Sequence, residues 1–359
     1  MRTPALTACL LTAAAIAAAP VHADMMLGGF ATTAGQNHPL RHFHPNATGT
    51  TAPIGEISGP ATQLYQPMFG VYEPNERVIY ISDFGGQAIR VYPAFATGDV
   101  APIRVINPPQ LAQTRANAPV AAHDELGVIA SNCCIYTYPL HASGNSVARI
   151  RGISWGGGAD TTTKLNNPTA LIYIPATDEY AVKDYDPASA SNTRIVFHAR
   201  TANGTVAPTR MLTGNGVANA VGLAYDPTSR RLFVLRQAPP VGGVRTGSIA
   251  IFVDTASGDA LPIDTIEGGS TQLNLPDGRY FSGIGFDAYT SRLMVTVPGG
   301  SNPANNRAVL FNYSVGVAGN LAPASVLEGT NVSPTTVGIP FGIPAGPPDY
   351  IFRNGFQTP

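Results

Sequence analysis

Two adjacent cysteines, Cys133 and Cys134, are the only cysteines that follow residue 23 of the chain. In an oxidising compartment, adjacent cysteines can close a strained ring through their own disulfide. The pair lies between two apolar runs, where a tight turn is expected. No second pair of cysteines or histidines follows at the spacing of a zinc site, so a redox or metal role has little support. The sequence predicts a structural vicinal disulfide or two unreactive thiols.

Polar side chains recur at the ends of short apolar runs, and they form a second candidate group. Each stands where a strand would end and a loop would begin. These residues are Asp83, Asn132, Asp184 and Arg236. Carboxylate and amide oxygens that converge on one point are ligands for Ca²⁺ or another divalent cation. Asp184 and Arg236 have an alternative, because they could form a structural ion pair that holds no ligand.

Trp155 is the only tryptophan, and it precedes three glycines. A tryptophan in such a connection can stack on a ligand or simply pack against its neighbours. We expect it at the rim of the same candidate site.

Charge and motif content exclude several classes of function. The net charge is −1, and the 21 basic residues are dispersed along the chain. Without a basic stripe or an amphipathic helix, binding to nucleic acid or to a membrane surface is disfavoured. The sequence also lacks a Ser/His/Asp set, a glycine-rich phosphate loop and a Walker pattern.

A short phrase that occurs six times provides the framework for these residues. It consists of a small residue, a Thr, Ser, Asn or Ala, then Gly, followed after a few residues by an Ala-Pro-like pair. It begins as Ala47-Thr48-Gly49 and last occurs as Val317-Ala318-Gly319, with steps of 47 to 61 residues between copies. A self-similar period in this range predicts a repeat architecture.

Each repeat contains the pattern of four short strands. An aromatic residue ends a β-rich run before every phrase, and a second apolar run follows it, which is typical of a hairpin. Upstream, a run such as Gly222-Leu223-Ala224-Tyr225-Asp226 leads through a turn into another apolar run. Four strands in about 50 residues form one blade of a β-propeller. The pattern resembles the NHL-type propellers and, at the superfamily level, the lactonase-like six-bladed propellers. These scaffolds serve many functions.

The repeats predict an all-β fold, a six-bladed β-propeller closed by pairing N-terminal strands with a C-terminal strand. We expect a signal peptide over residues 1–23, because a basic residue, an apolar centre and a small-x-small site precede Asp24. One propeller domain then covers 24–346, and a tail covers 347–359. The predicted blades span 67–107, 117–154, 168–214, 221–267 and 277–329, with a closing blade from 24–58 and 335–346. Its C-terminal strand is predicted at 337–341.

Two functions compete for this scaffold. The first is a secreted or periplasmic, non-catalytic module that binds a protein or a small-molecule ligand. Its site would lie on the face where the second strand of each blade ends, which we call the top face. The second is an enzyme of the lactonase or lyase type with a divalent cation, such as Ca²⁺, held by Asp83, Asn132 and Asp184. The sequence favours the first, with no cofactor, no nucleic acid, no membrane insertion and a monomeric state.

Overall fold

The computed structural model describes residues 24–28, 39–130, 133–153, 161–186, 193–276, 279–300, 302–332 and 341–345. Six antiparallel sheets surround a central channel, and no α-helix occurs in these ranges. The innermost strands of the sheets contact one another in ring order. The prediction of an all-β, six-bladed propeller is therefore confirmed. No helix in the described ranges has the length and apolar character needed to cross a bilayer.

The closing blade joins the two ends of the described chain. It consists of β1 (Asp24–Gly28), β2 (Leu40–Phe43), β3 (Gly55–Ile57) and β25 (Phe341–Ala345). Strand β25 is antiparallel to β1, with Asp24 opposite Ala345 and Gly28 opposite Phe341. Closure by a C-terminal strand is confirmed, although the described strand begins at residue 341, where the predicted one ended. Gly342-Ile343 matches the Gly-apolar start of other innermost strands, such as Gly283-Ile284.

The other five blades follow in chain order, each written from the innermost strand outwards. Blade 1 contains β4 (Pro67–Glu73), β5 (Val78–Asp83), β6 (Ala88–Pro93) and β7 (Arg104–Ile106). Blade 2 contains β8 (Ala116–Val120), β9 (Glu125–Ala130), β10 (Cys134–Pro139) and β11 (Arg151–Ile153). Blade 3 contains β12 (Ala170–Ile174), β13 (Glu179–Tyr185), β14 (Thr193–Ala199) and β15 (Arg210–Leu212).

Blades 4 and 5 complete the ring. Blade 4 contains β16 (Ala220–Asp226), β17 (Arg231–Gln237), β18 (Arg245–Val253) and β19 (Asp264–Glu267), with the short β20 (Asn274–Leu275) paired to β18. Blade 5 contains β21 (Gly283–Asp287), β22 (Arg292–Val297), β23 (Arg307–Asn312) and β24 (Ser325–Glu328). Short 3-10 turns lie at Pro60–Thr62, Ala121–His123, Gly269–Thr271 and Pro303–Asn305.

The core lies between neighbouring blades. An aromatic residue at or near the end of the third strand is fully buried in every blade. These residues are Phe43, Tyr92, Tyr138, Phe197, Phe252 and Phe311. Each ring belongs to a core cluster between two neighbouring blades, and Phe197 and Phe252 share the cluster between blades 3 and 4.

The glycine of each repeated phrase joins its blade to the preceding one. Each glycine forms a parallel β-bridge with the outer strand of the preceding blade, and all six have a positive φ. These inter-blade bridges pair Gly49 with Leu327, Gly98 with Ile57, Gly144 with Ile106, Gly204 with Ile153, Gly258 with Leu212 and Gly319 with Ile266. The repeated phrase thus links its blade to the preceding one, and it also forms the turn that reverses the direction of the chain.

Candidate functional site

Asp83 ends β5 at the top face, and its fully buried carboxylate binds groups of its own blade. It accepts hydrogen bonds from the backbone amides of Tyr65 at 3.2 Å, Gln66 at 2.6 Å and Gly86 at 3.2 Å. The Nε of Arg90 donates to it at 2.7 Å. These contacts hold the segment that precedes β4 against the last residue of β5.

Asp184 repeats this arrangement in blade 3. Its carboxylate accepts from the amides of Asn166 at 3.0 Å and Asn167 at 2.7 Å, and from Nη2 of Arg194 at 3.0 Å. Burial raises the pKa of Asp184 above the usual carboxyl range, while the two amides and Arg194 act in the opposite direction. The partner of Asp184 is therefore Arg194, and the alternative pair with Arg236 is not formed.

Arg236 also binds within its own blade. Its Nε donates to the Oγ of Ser248 at 3.1 Å, and its Nη1 donates to the carbonyl oxygens of Asn215 at 3.2 Å and Gly216 at 3.3 Å. Burial lowers the pKa of its guanidinium, and the carboxylate of Glu267 acts in the opposite direction. The described contacts of Asp83, Asp184 and Arg236 share no residue, so they do not bring these three side chains together.

The remaining predicted residues of the top face, Asn132 and Trp155, lie outside the described residues. The oxygens of Asp83 and Asp184 already accept from amides and arginines, so this pair does not fit the ligand set of a divalent cation. Within the described ranges, no three His, Cys, Asp or Glu side chains are placed to hold a metal. The top-face site remains a prediction from the sequence.

Cys133 directly precedes β10 and Cys134 is its first residue, at the top face. Their sulfur atoms are joined in a disulfide, with the Cα atoms 3.7 Å apart. The amide of Cys133 donates to the carbonyl oxygen of Ala130 at 3.3 Å, which closes the turn. The bond lies at the end of a blade, and Cys134 is buried.

A cavity of about 430 Å³ occupies the central channel. Residues of β4, β8, β12, β16 and β21, together with the turns that follow most of these strands, line it. Those turns lie on the face opposite the top face, which we call the bottom face. Pro74, Pro175, Pro227 and Tyr289 of these turns are exposed, so the cavity reaches solvent there.

Aromatic rings and prolines dominate the wall of this cavity. The aromatic lining residues are Phe69, Tyr72, Tyr173, Tyr225, Phe286 and Tyr289, and the prolines are Pro74, Pro119, Pro175 and Pro227. The sequence carries a signal for this ring of aromatic and proline side chains. A Tyr-x-Pro sequence ends the first strand of blades 1, 3 and 4, and Phe286 takes the aromatic position in blade 5.

Neighbouring side chains fix several of these rings in place. The hydroxyl of Tyr173 donates to Asp178 at 2.8 Å, and that of Tyr225 donates to Asp254 at 2.9 Å. Phe286 stacks on Phe233 with their ring centres 5.3 Å apart. Rings held by such contacts lose little freedom when a ligand packs against them.

An ion-pair network supports the same face of the ring. Arg200 donates to Glu125 of blade 2 at 2.8 Å and to Asp178 of its own blade at 2.7 Å. Burial acts to raise the pKa of Glu125, but the hydrogen bonds from Arg151 and Arg200 outweigh it and lower that pKa. Because Asp178 also accepts from Tyr173, the network connects blade 2 to the wall of the cavity.

The comparisons with known proteins show the fold and no family. No family model matches the chain, and no curated protein matches it in sequence. Hydrazine synthase of Kuenenia stuttgartiensis superposes with a TM-score of 0.50 and 15% identity, covering 76% of this chain and 70% of that chain. A chain of a nidogen/laminin complex superposes with a TM-score of 0.52 and 11% identity, covering 84% and 97%. At these identities the likeness supports the propeller alone, so the resemblance to NHL-type repeats rests on the sequence pattern.

Proposed function

We propose that this protein is a non-catalytic binding module whose site is the central cavity, entered from the bottom face. The ligand carries an apolar ring, either as a small molecule or as a side chain of a partner protein. The observation that carries the proposal is the cavity of about 430 Å³ with its ring of aromatic and proline side chains. This volume lies within the roughly 300–1,000 Å³ of ligand pockets. The proposed site therefore opens on the bottom face, whereas the sequence predicted a site on the top face.

The chemistry of the wall favours an apolar ligand. Asp287 is the charged side chain of the lining, and it is engaged with its own turn through the amide of Tyr289 and the hydroxyl of Thr290. Burial raises the pKa of Tyr173 to about 12, so its phenol is neutral near pH 7. An apolar ring that leaves water for this cavity gains about 25 cal/mol per Å² of buried surface.

Substitution of Tyr72 tests the proposal, with indole as the probe. Tyr72 lies in the cavity wall and is half-buried. Tyr72→Ala should weaken indole binding roughly two- to tenfold, the usual contribution of one aromatic pair. Titration followed by ligand-observed NMR gives the Kd. The matched control is Tyr280→Ala, because Tyr280 is 40% exposed and lies outside the cavity. The absence of saturable binding to the wild type, or an equal loss in the control, would refute the proposal.

We also propose that the protein acts after export, in a secreted or periplasmic location. The sequence of residues 1–23 supports this, as does the start of β1 at Asp24, directly after the predicted cleavage site. The disulfide between Cys133 and Cys134 suits an oxidising compartment.

Intact-mass analysis of protein from the exported fraction tests this second proposal. The mature chain should begin at Asp24, and alkylation under denaturing, non-reducing conditions should add nothing. Reduction should then expose two thiols. A chain that retains residues 1–23, or two thiols that react without reduction, would contradict it.

A further inference from the structure

The bottom mouth of the cavity differs in chemistry from the channel above it. The innermost strands run from the top face to the bottom face, and Leu171, Leu223 and Ile284 line the cavity near their start or middle. Asp287 and Tyr289 line it where β21 ends, and Tyr289 is 42% exposed. A ligand with one apolar end and one polar end therefore matches the channel along its axis.

Asp287 brings a negative charge to this mouth. Its carboxylate accepts from the amide of Tyr289 at 2.9 Å and from the hydroxyl of Thr290. Both donors are neutral, so neither offsets the charge of the carboxylate. Asp287 is also only partly buried. A cation at the mouth is attracted with or without direct contact, because Coulomb attraction acts over several ångströms.

The arginines that lie nearest in sequence to the mouth bind elsewhere. Arg292 is opposite Asp287 in the hairpin, but its Nη1 and Nη2 donate to residues 45–46 of the closing blade. Arg77, in the turn after β4, lies over the ring of Phe95 at 5.5 Å from its centre. Neither arginine lines the cavity, and the described lining contains no Lys, Arg or His. The charge of this lining is therefore negative, and it lies at the mouth.

Two tyrosines from different blades lie near each other at the same mouth. Burial raises the pKa of Tyr72, the nearby phenol of Tyr289 raises it further, and Arg77 acts in the opposite direction. The face of an aromatic ring is the negative end of its quadrupole, and it attracts ammonium groups. A cation at the mouth thus meets aromatic rings as well as a carboxylate.

We propose that the cavity binds small molecules that join a protonated amine to an apolar ring, with the ring in the channel and the ammonium group at the mouth beside Asp287 and Tyr289. This inference rests on the proposed function, because it names the ligand class of the same cavity. A neutral ligand of the same shape gains only the burial of its ring. A carboxylate in place of the amine is repelled by Asp287, so its affinity is the lowest of the three.

Three indole derivatives of similar size test the inference in the full-length protein. Tryptamine carries an ammonium group near pH 7, tryptophol a hydroxyl group and indole-3-acetate a carboxylate. The wild type should bind tryptamine about fivefold more tightly than tryptophol, the combined range of one cation–π contact and one exposed ion pair. Indole-3-acetate should bind most weakly. The differences should shrink in about 1 M NaCl, because salt screens exposed charges. Ligand-observed NMR gives each Kd.

Two pairs of variants assign the preference to the mouth. Asp287→Asn should lower the preference for tryptamine over tryptophol about threefold, because it removes one exposed charge. Asp259→Asn is the matched control, since Asp259 is exposed, lies outside the cavity and gives the same change in net charge. Tyr289→Leu should lower the preference about twofold, whereas Tyr289→Phe keeps the aromatic face and should preserve it.

The outcomes separate this inference from the proposed function. If none of the three compounds binds saturably, the proposed function fails and the inference fails with it. If tryptophol binds as tightly as tryptamine, the cavity remains a binding site and the inference alone is overturned. An equal loss of preference in Asp259→Asn also overturns it, because overall charge would then be the cause. If Asp287→Asn does not fold, the Tyr289 pair decides, and equal preferences in Tyr289→Leu and Tyr289→Phe contradict the inference.

Discussion

The amide of Gly98 donates a hydrogen bond to the carbonyl oxygen of Glu56 at 2.7 Å, and this bond joins blade 1 to the closing blade. The carbonyl oxygen of Gly98 accepts in turn from the amide of Ser58 at 3.1 Å. Gly98 has a φ of +86°, a conformation that glycine adopts without steric cost. The same bridge recurs at the other five phrases, so the repeated glycine is explained by contact between blades.

Gly98→Ala should lower the free energy of unfolding by about 1 kcal/mol. A Cβ added at this position meets no atom within 4 Å, so the cost arises from the backbone conformation alone. Gly269→Ala is the matched control, because its Cβ also meets open space and its φ lies outside the positive range. Urea unfolding measures both variants. Equal effects would show that the positive φ of Gly98 is not responsible.

Asp83→Asn should destabilise the fold by about 3 kcal/mol, because it leaves the buried guanidinium of Arg90 without its charged partner. Glu56→Gln is the matched control, since Glu56 pairs with Arg41 at 3.2 Å and its side chain is 41% exposed. The control should cost less than about 1 kcal/mol. Urea unfolding again gives both values, and similar losses would contradict the structural role of Asp83.

A divalent cation distinguishes this structural role from the metal-dependent alternative. If Asp83 serves its own blade, the loss in Asp83→Asn is the same in EDTA and in millimolar Ca²⁺. A wild-type melting temperature that rises with Ca²⁺, and no longer rises in the variant, would instead favour a metal site by mass action.

The fold was predictable because its determinants are periodic, whereas the site depends on the closed ring. The aromatic position before each phrase and the Gly-apolar strand starts repeat along the chain, so they predict blade number and closure. Asp83 and Asp184 were correctly placed at strand ends, but no pattern shows that amides of a preceding segment fold back onto them. Tyr72 and Tyr225 line the same cavity from different blades, and strand alternation does not give the width of the central channel.

Lys183→Met should stabilise the protein near pH 7, with a gain that shrinks as the pH rises to about 10. Burial lowers the pKa of Lys183 to about 7; Asp184 acts to raise it and Arg115 to lower it further. The Nζ lies 3.2 Å from the centre of the Tyr185 ring. In the unfolded chain the pKa is about 10.4. The unfolded state therefore binds more protons between about pH 7 and 10, and the stability of the wild type rises with pH across that window.

Urea unfolding of the wild type and Lys183→Met at pH 6, 8 and 10 checks this prediction. The two proteins share all their other titratable groups. The difference between their free energies of unfolding therefore isolates the contribution of Lys183. We expect an advantage of about 1–3 kcal/mol for Lys183→Met at pH 6, and a smaller one at pH 10. A difference that stays constant over this range would show that Lys183 remains charged in the folded protein.

Removal of residues 341–359 should open the ring and weaken its cooperative unfolding. The truncation removes β25, which pairs with β1 from Asp24 to Gly28 and lies between β21 and β4 in the ring of innermost strands. Strand β1 then exposes the edge that β25 covers, and β21 and β4 lose the strand that lies between them. The melting temperature should fall by roughly 10 °C or more, because several kcal/mol of pairing and burial are lost. The matched control removes only residues 346–359, keeps β25 and should melt like the full chain. If both truncated chains melt at the wild-type temperature, closure by β25 does not stabilise the ring.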